Sequence, residues 1–162
     1  MFKVGIIGPE STGKSTLARY LAKRYKGVLV TEYAREYMEA LDRPYTIADV
    51  ETIAKYQIQQ LQEIASNRSP RIAHLYVFDT ELIVTKVWFE YKYGACPDWL
   101  ELALRTYPMD MYLLCYPDIK WEPDPVRENP EIRLQLFKHY ENEIQQLDIP
   151  YYIIKHSPHV RS

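Results

Sequence analysis

Cysteine is nearly missing from this chain. Its two residues, Cys96 and Cys115, cannot build a disulfide framework, and their scarcity points to a reducing, cytoplasmic setting. Long hydrophobic runs are missing as well. The longest are of strand length, which excludes a membrane-spanning helix. Charge of one sign does not accumulate: the formal net charge is −2, so no global basic field awaits nucleic acid. With only five glycines, no Gly/Ser linker, low-complexity tract or internal repeat divides the sequence. The first strand begins within three residues of the N-terminus, so no signal peptide is expected. The four histidines (His74, His139, His156, His159) show no metal-ligand spacing with the cysteines and read as ordinary surface or core residues. What remains is a chain of 162 residues, 47% hydrophobic, enough to bury a core as one α/β domain spanning 1–162. Fifteen tyrosines stand out, and most are expected to be half-buried with the hydroxyl in water.

Apolar runs predict strands at Lys3–Ile7, Val28–Thr31, Leu75–Phe78, Met111–Tyr116 and Tyr151–Ile154. They are near-continuous rather than alternating, the pattern of a parallel sheet covered on both faces. Helical patterns lie between them, over Lys14–Tyr25, Ala34–Leu41, Thr46–Ser66, Glu81–Tyr93, Asp98–Thr106 and Pro130–Leu147. Thr46 with Asp49 resembles a capping box in which Asp replaces the usual Glu. Gly94 suits the position just past a helix end. Asn129 followed by Pro130 suits a helix start. Alternating β and α units predict an α/β, three-layer, doubly wound fold with a five-stranded parallel sheet, and such folds bind ligands at the carboxyl ends of the strands.

One motif sits at such an end. Gly8-Pro9-Glu10-Ser11-Thr12-Gly13-Lys14-Ser15 is a complete phosphate-binding loop between an apolar run and a helical pattern, with Thr16 next in line. Its glycines let backbone N–H groups approach an anion, and the helix N-terminus adds partial positive charge. Lys14 is placed to reach the β- and γ-phosphates of ATP, and the Ser15 hydroxyl to reach Mg²⁺.

Asp79 ends the third strand run, where a carboxylate can hold Mg²⁺ directly or through water; the competing reading is an N-cap for the helix that follows. Glu32 ends the second run, facing the expected acceptor hydroxyl, whose proton it can take; the competing reading is a first-turn acid paired on the surface with Arg35. Arg35 can clamp phosphate or hydroxyls. The proline-rich stretch at about 117–129 reads as a lid, in which Arg127 can neutralise the transferring phosphoryl group and Trp121 can stack on a planar ligand. Gln57 offers an amide to a ligand edge, against the plainer reading of a surface glutamine.

Taken together, these residues resemble the ribosylnicotinamide kinase domain of NadR-type proteins, within the P-loop NTPase and nucleoside-kinase-like group. The similarity rests on Gly8 to Ser15, Glu32-Tyr33-Ala34-Arg35-Glu36, Gln57, Asp79-Thr80-Glu81 with Thr85, and Tyr107-Pro108-Met109-Asp110. It continues through Trp121, Asp124 and Arg127 to Pro150-Tyr151, so nearly the whole chain is covered in order. The resemblance implies ATP-dependent phosphorylation of nicotinamide riboside to nicotinamide mononucleotide, a step of NAD salvage. It also implies Lys14, Glu32, Asp79 and Arg127 as the catalytic set, and Glu32, Tyr33, Arg35, Gln57, Trp121 and Asp124 at the acceptor. NadR-type proteins usually carry an adenylyltransferase domain before the kinase; nothing precedes the first strand here, so that activity is not expected.

Rival functions differ at readable positions. No Asn-Lys-x-Asp sequence reads guanine, and Asp79 is followed by Thr80-Glu81-Leu82 rather than a switch glycine, which argues against a GTPase. A non-catalytic nucleotide module, a plain ATPase, or a kinase for another nucleoside or nucleotide stays open. The expected partners are ATP and a small nucleoside-type substrate, with no nucleic acid and no membrane; oligomeric state is not legible.

Overall fold

The structure is a computed structural model that describes residues 1–10, 12–69, 71–117 and 130–155, the side chain of residue 130 excepted. Residues 118–129 of the expected lid, with Trp121, Asp124, Arg127 and Asn129, lie outside the described residues, as do Ser11 and both late histidines.

The elements run β1 Phe2–Ile7, α1 Lys14–Arg24, β2 Val28–Val30, α2 Tyr33–Ala40, α3 Ile47–Ala65, β3 Leu75–Asp79, α4 Leu82–Tyr93, α5 Asp98–Thr106, β4 Met111–Cys115, α6 Pro130–Leu147 and β5 Tyr151–Ile154. All five strands are parallel, in the order β2-β3-β1-β4-β5. The expected three-layer α/β fold is therefore present. β2 and β4 each stop one residue short of the expected strand.

Strand pleating sorts the core into two faces. Val4, Ile6, Val77, Leu113 and Cys115 face α1, where Ala18 and Ala22 let the helix approach closely. Ile7, Tyr76, Phe78, Tyr112 and Leu114 face the other way, against α3, α4, α5 and α6. Each fully buried Ile or Leu here contributes about 1.5–3 kcal/mol. α2 buries none of its residues and sits outside this packing. Among the described residues no helix is long and apolar enough to cross a membrane.

Polar anchors fix the ends of the elements. Thr46 N donates to Asp49 Oδ2 at 2.8 Å, completing the capping box at the start of α3. The same carboxylate takes a two-pronged bond from Arg43 (2.8 and 2.9 Å) and one from the Tyr37 hydroxyl (2.7 Å). Arg43, helped by Thr46 and Tyr37, holds Asp49 well below the usual carboxylate range. Asp110 exchanges bonds with the Lys3 backbone: its N–H donates to the Lys3 carbonyl at 2.9 Å and its carboxylate accepts from the Lys3 N–H at 2.8 Å, which pins the start of β1 beside β4.

Cys115 is fully buried, as a small core residue should be. Cys96 is half-buried, and desolvation pushes its thiol up to about 12. His139 is not an isolated residue. Its Nε2 lies 3.2 Å from Glu90 and 3.5 Å from Glu143, and Glu143 also takes Lys86 Nζ at 2.6 Å. Lys86 reaches Glu101 at 2.7 Å as well. Burial opposes its charge, but the hydrogen bonds of Glu101 and Glu143 outweigh that and raise its pKa. The network ties α4, α5 and α6 together behind the sheet.

Candidate active site

The phosphate-binding loop emerges from β1 at the centre of the sheet. Gly8 has φ 154°, and a Cβ there would stand 2.8 Å from the Cys115 carbonyl oxygen, so β4 leaves room for glycine alone. Gly13 is left-handed at φ 81° and opens α1. The loop partly satisfies itself. The Pro9 carbonyl accepts from Thr12 Oγ1 at 2.7 Å and from Lys14 Nζ at 2.9 Å. Burial lowers the pKa of the Lys14 ammonium, opposed by the nearby charges of Glu32 and Asp79. Thr16 follows in the first turn of α1 and is exposed.

Beside the loop, Ser15 Oγ donates to Asp79 Oδ2 at 2.6 Å. Asp79 closes β3 and is 7% exposed. The reading of Asp79 as the cap of α4 is corrected: the cap is Glu81, whose Oε1 accepts from Ile83 N at 2.9 Å. The cause is Thr80, which takes a left-handed backbone at φ 72° and donates its N–H to Ile6 O at 2.9 Å. That conformation is a rare one for a β-branched residue. It separates Asp79 from the helix and leaves it beside Ser15.

Glu32 precedes α2 in an extended conformation and does not cap it with its side chain. Desolvation raises its pKa, and Lys14 and then Arg35 oppose the rise. Arg35 Nη2 approaches Glu32 Oε2 at 3.4 Å from an exposed position, so the surface pairing exists, but the carboxylate itself is mostly buried. Glu32 Oε2, Asp79 Oδ1 and Thr80 Oγ1 are buried oxygens without a hydrogen-bond partner among the described residues. An unmet buried acceptor such as Asp79 Oδ1 is costly in a closed core and is expected where a ligand completes the set. Ser15 and the Asp79 carboxylate form a hard-oxygen pair of the kind Mg²⁺ prefers, and Asp79 keeps one oxygen in reserve, so these residues fit that ion.

The remaining acceptor candidates make contacts of their own with α3 and α4. Tyr33 stacks on Tyr56 of α3 with centroids 3.7 Å apart and planes at 18°. Gln57 is buried, not a surface residue, because its Oε1 accepts from Thr85 Oγ1 of α4 at 2.7 Å. The sequence reading missed Arg133. It is 3% exposed in the first turn of α6 and donates from Nε to Glu10 O at 3.0 Å. Nothing in its local sequence marks this contact, since Glu10 lies 123 residues away. Two grooves flank α3, one of about 610 Å³ along Lys55, Gln59 and Arg68, and one of about 220 Å³ between Tyr56, Tyr76 and β2. The phosphate-binding loop lines neither.

Known proteins share this fold. The family model described as AAA domain matches residues 3–161. A NadR protein in complex with NR superposes with a TM-score of 0.72 at 26% identity, over 97% of this chain and 46% of that one. A NadR protein in complex with NAD and AMP-PNP gives 0.70 at 25% identity, over 97% and 44%. This chain therefore spans less than half of each of these two NadR chains. Thymidylate kinase from Ehrlichia chaffeensis gives 0.64 at 11% identity, over 96% and 87%, a likeness of fold alone.

Proposed function

Given that the chain belongs to the AAA domain family, matched over residues 3–161, we propose that it is an ATP-dependent kinase of a nucleoside-type small molecule, acting in the cytoplasm. The acceptor we assign is nicotinamide riboside, and the product nicotinamide mononucleotide. The observation that carries the kinase reading is the juxtaposition of three charges. Lys14 sits at the loop, Asp79 is bonded to Ser15, and the buried carboxylate of Glu32 lies within electrostatic reach of both. A plain nucleotide-binding module needs no desolvated acid at the end of β2. The riboside assignment is supported by the resemblance of the residues in chain order. It is also supported by the NadR structures, one in complex with NR and one with AMP-PNP.

In this reading the triphosphate of ATP lies against the loop and the N-terminus of α1. Lys14 exchanges the Pro9 carbonyl for phosphate oxygens, which offsets the burial of its charge. Ser15 and Asp79 would hold Mg²⁺, which when bound neutralises phosphate charge. Glu32 accepts the proton of the acceptor hydroxyl as that oxygen bonds to the γ-phosphorus and the bridging P–O bond breaks to release ADP. A carboxylate whose pKa is raised by burial is a stronger base for this transfer than an ordinary one. Arg35 is already paired to Glu32 and would orient it or meet a ribose hydroxyl. Tyr33 and Gln57 would line the acceptor side. Trp121, Asp124 and Arg127, within a lid at about 117–129 of a single kinase domain, would complete it.

The experiment is a transfer screen with ATP and Mg²⁺ against a panel of nucleosides that includes nicotinamide riboside. Phosphorylation of one member supports a kinase, and preference for the riboside supports the acceptor. Hydrolysis of ATP without transfer to any member would replace the reading with an ATPase.

A further inference from the structure

A phosphate-binding loop works by presenting its N–H groups to an anion, so its carbonyls must be held by something else. In this loop the Pro9 carbonyl is held from within, by Thr12 and Lys14. The Glu10 carbonyl is held from outside the loop, by Arg133 Nε at 3.0 Å. Held by Arg133, the Glu10 carbonyl is not free to turn toward an anion.

Arginine is rarely buried without a defined partner, because desolvating its charge is costly. Arg133 is 3% exposed and spends its Nε–H on this carbonyl across the fold. The rigid, planar geometry of guanidinium suits such a contact better than a flexible ammonium would. The helix that carries it is itself braced. Glu143 pairs with Lys86, and Leu136, Phe137 and Ile144 are buried in the core against the sheet. The arginine is thus held from behind as firmly as it holds the loop.

We propose that Arg133 is a positioning residue for nucleotide binding: it holds the Glu10 carbonyl of the phosphate-binding loop away from the triphosphate, so that the loop is ready to receive it. The inference rests on the kinase reading only as far as nucleotide binding at the loop.

The test compares the whole chain with its Arg133→Ala and Arg133→Lys variants. AMP-PNP affinity is measured by calorimetry, turnover by steady-state kinetics, and folding by circular dichroism and thermal melting. Loss of a hydrogen bond from a charged donor predicts an AMP-PNP Kd about tenfold or more above wild type for Arg133→Ala. Arg133→Lys, which keeps the charge but not the directed Nε–H, falls between. The KM for ATP rises with the Kd, while kcat at saturating ATP changes by less than about threefold, because the reacting groups are untouched. A packing role alone would lower the melting temperature and leave the Kd alone. Wild-type AMP-PNP affinity in folded Arg133→Ala overturns the proposal; if that variant does not fold, the same result in Arg133→Lys overturns it. Wild-type protein that binds AMP-PNP but transfers no phosphate would sink the kinase reading and leave this test standing. Wild-type protein that binds no AMP-PNP would sink both.

Discussion

Glu81→Gln should make the protein more stable above neutral pH and should abolish part of its pH dependence. Glu81 is 4% exposed, and burial pushes its carboxyl from an ordinary 4.5 up to about 7, against the opposing hydrogen bonds of Ile83 N and the Tyr112 hydroxyl. The folded state therefore binds more protons than the unfolded chain between pH 4.5 and 7. Stability is fully present below 4.5 and is lost as pH rises through about 7. The difference of 7 and 4.5, at 1.36 kcal/mol per unit, is about 3 kcal/mol. Glutamine keeps the shape and the carbonyl acceptor for Ile83 N, so the helix cap survives. It never ionises, so the loss never occurs. Urea unfolding of both proteins from pH 4 to 8 is the assay. Subtracting the curves removes titrations that the two share, including that of Asp49. The stabilities should match near pH 4 and diverge by up to about 3 kcal/mol in favour of Glu81→Gln by pH 8. Parallel curves across the whole range would refute the reasoning. A free energy of this size is a large share of a domain's stability.

Other substitutions probe the site itself. Gly8→Ala forces a Cβ to within 2.8 Å of the Cys115 oxygen at φ 154°, so ATP-analogue binding by calorimetry should fall with a loss of stability of about 1–3 kcal/mol in thermal melts. Lys14→Ala should abolish phosphoryl transfer while keeping a normal circular dichroism spectrum, because the ammonium serves the phosphates and not the core. Glu32→Gln should keep ATP affinity and lower turnover by roughly 10²-fold, whereas Asp79→Asn should weaken Mg²⁺-dependent ATP binding; identical defects in both variants would reject the separate roles. The raised pKa of Glu32 adds a direction: turnover should climb with pH through a value above 4.5, and that limb should vanish in Glu32→Gln.

What the sequence revealed and what it hid divide by distance along the chain. The loop Gly8 to Ser15, the five strand runs and the Thr46–Asp49 cap are local patterns, and each was legible because a short stretch dictates it. The cap of α4 was not, because the choice between Asp79 and Glu81 depends on the left-handed backbone of Thr80, a conformation its side chain disfavours. Gln57 looked like a surface residue in its own helix, and only the approach of Thr85 from α4 makes it a buried acceptor. Arg133 and the Glu10 carbonyl are joined by tertiary packing alone, so no window of sequence contains the signal. The stack of Tyr33 on Tyr56 is of the same kind: fifteen tyrosines were visible, but their pairing was not.

The central claim is transfer of the γ-phosphate of ATP to a nucleoside hydroxyl. Mass spectrometry of a reaction containing the protein, ATP, Mg²⁺ and nicotinamide riboside measures it directly. The account predicts a product heavier than the riboside by one phosphate, formed in a one-to-one ratio with ADP and missing when Lys14→Ala replaces the wild-type protein. ADP accumulating at the same rate with and without any nucleoside, and no phosphorylated product, would contradict it.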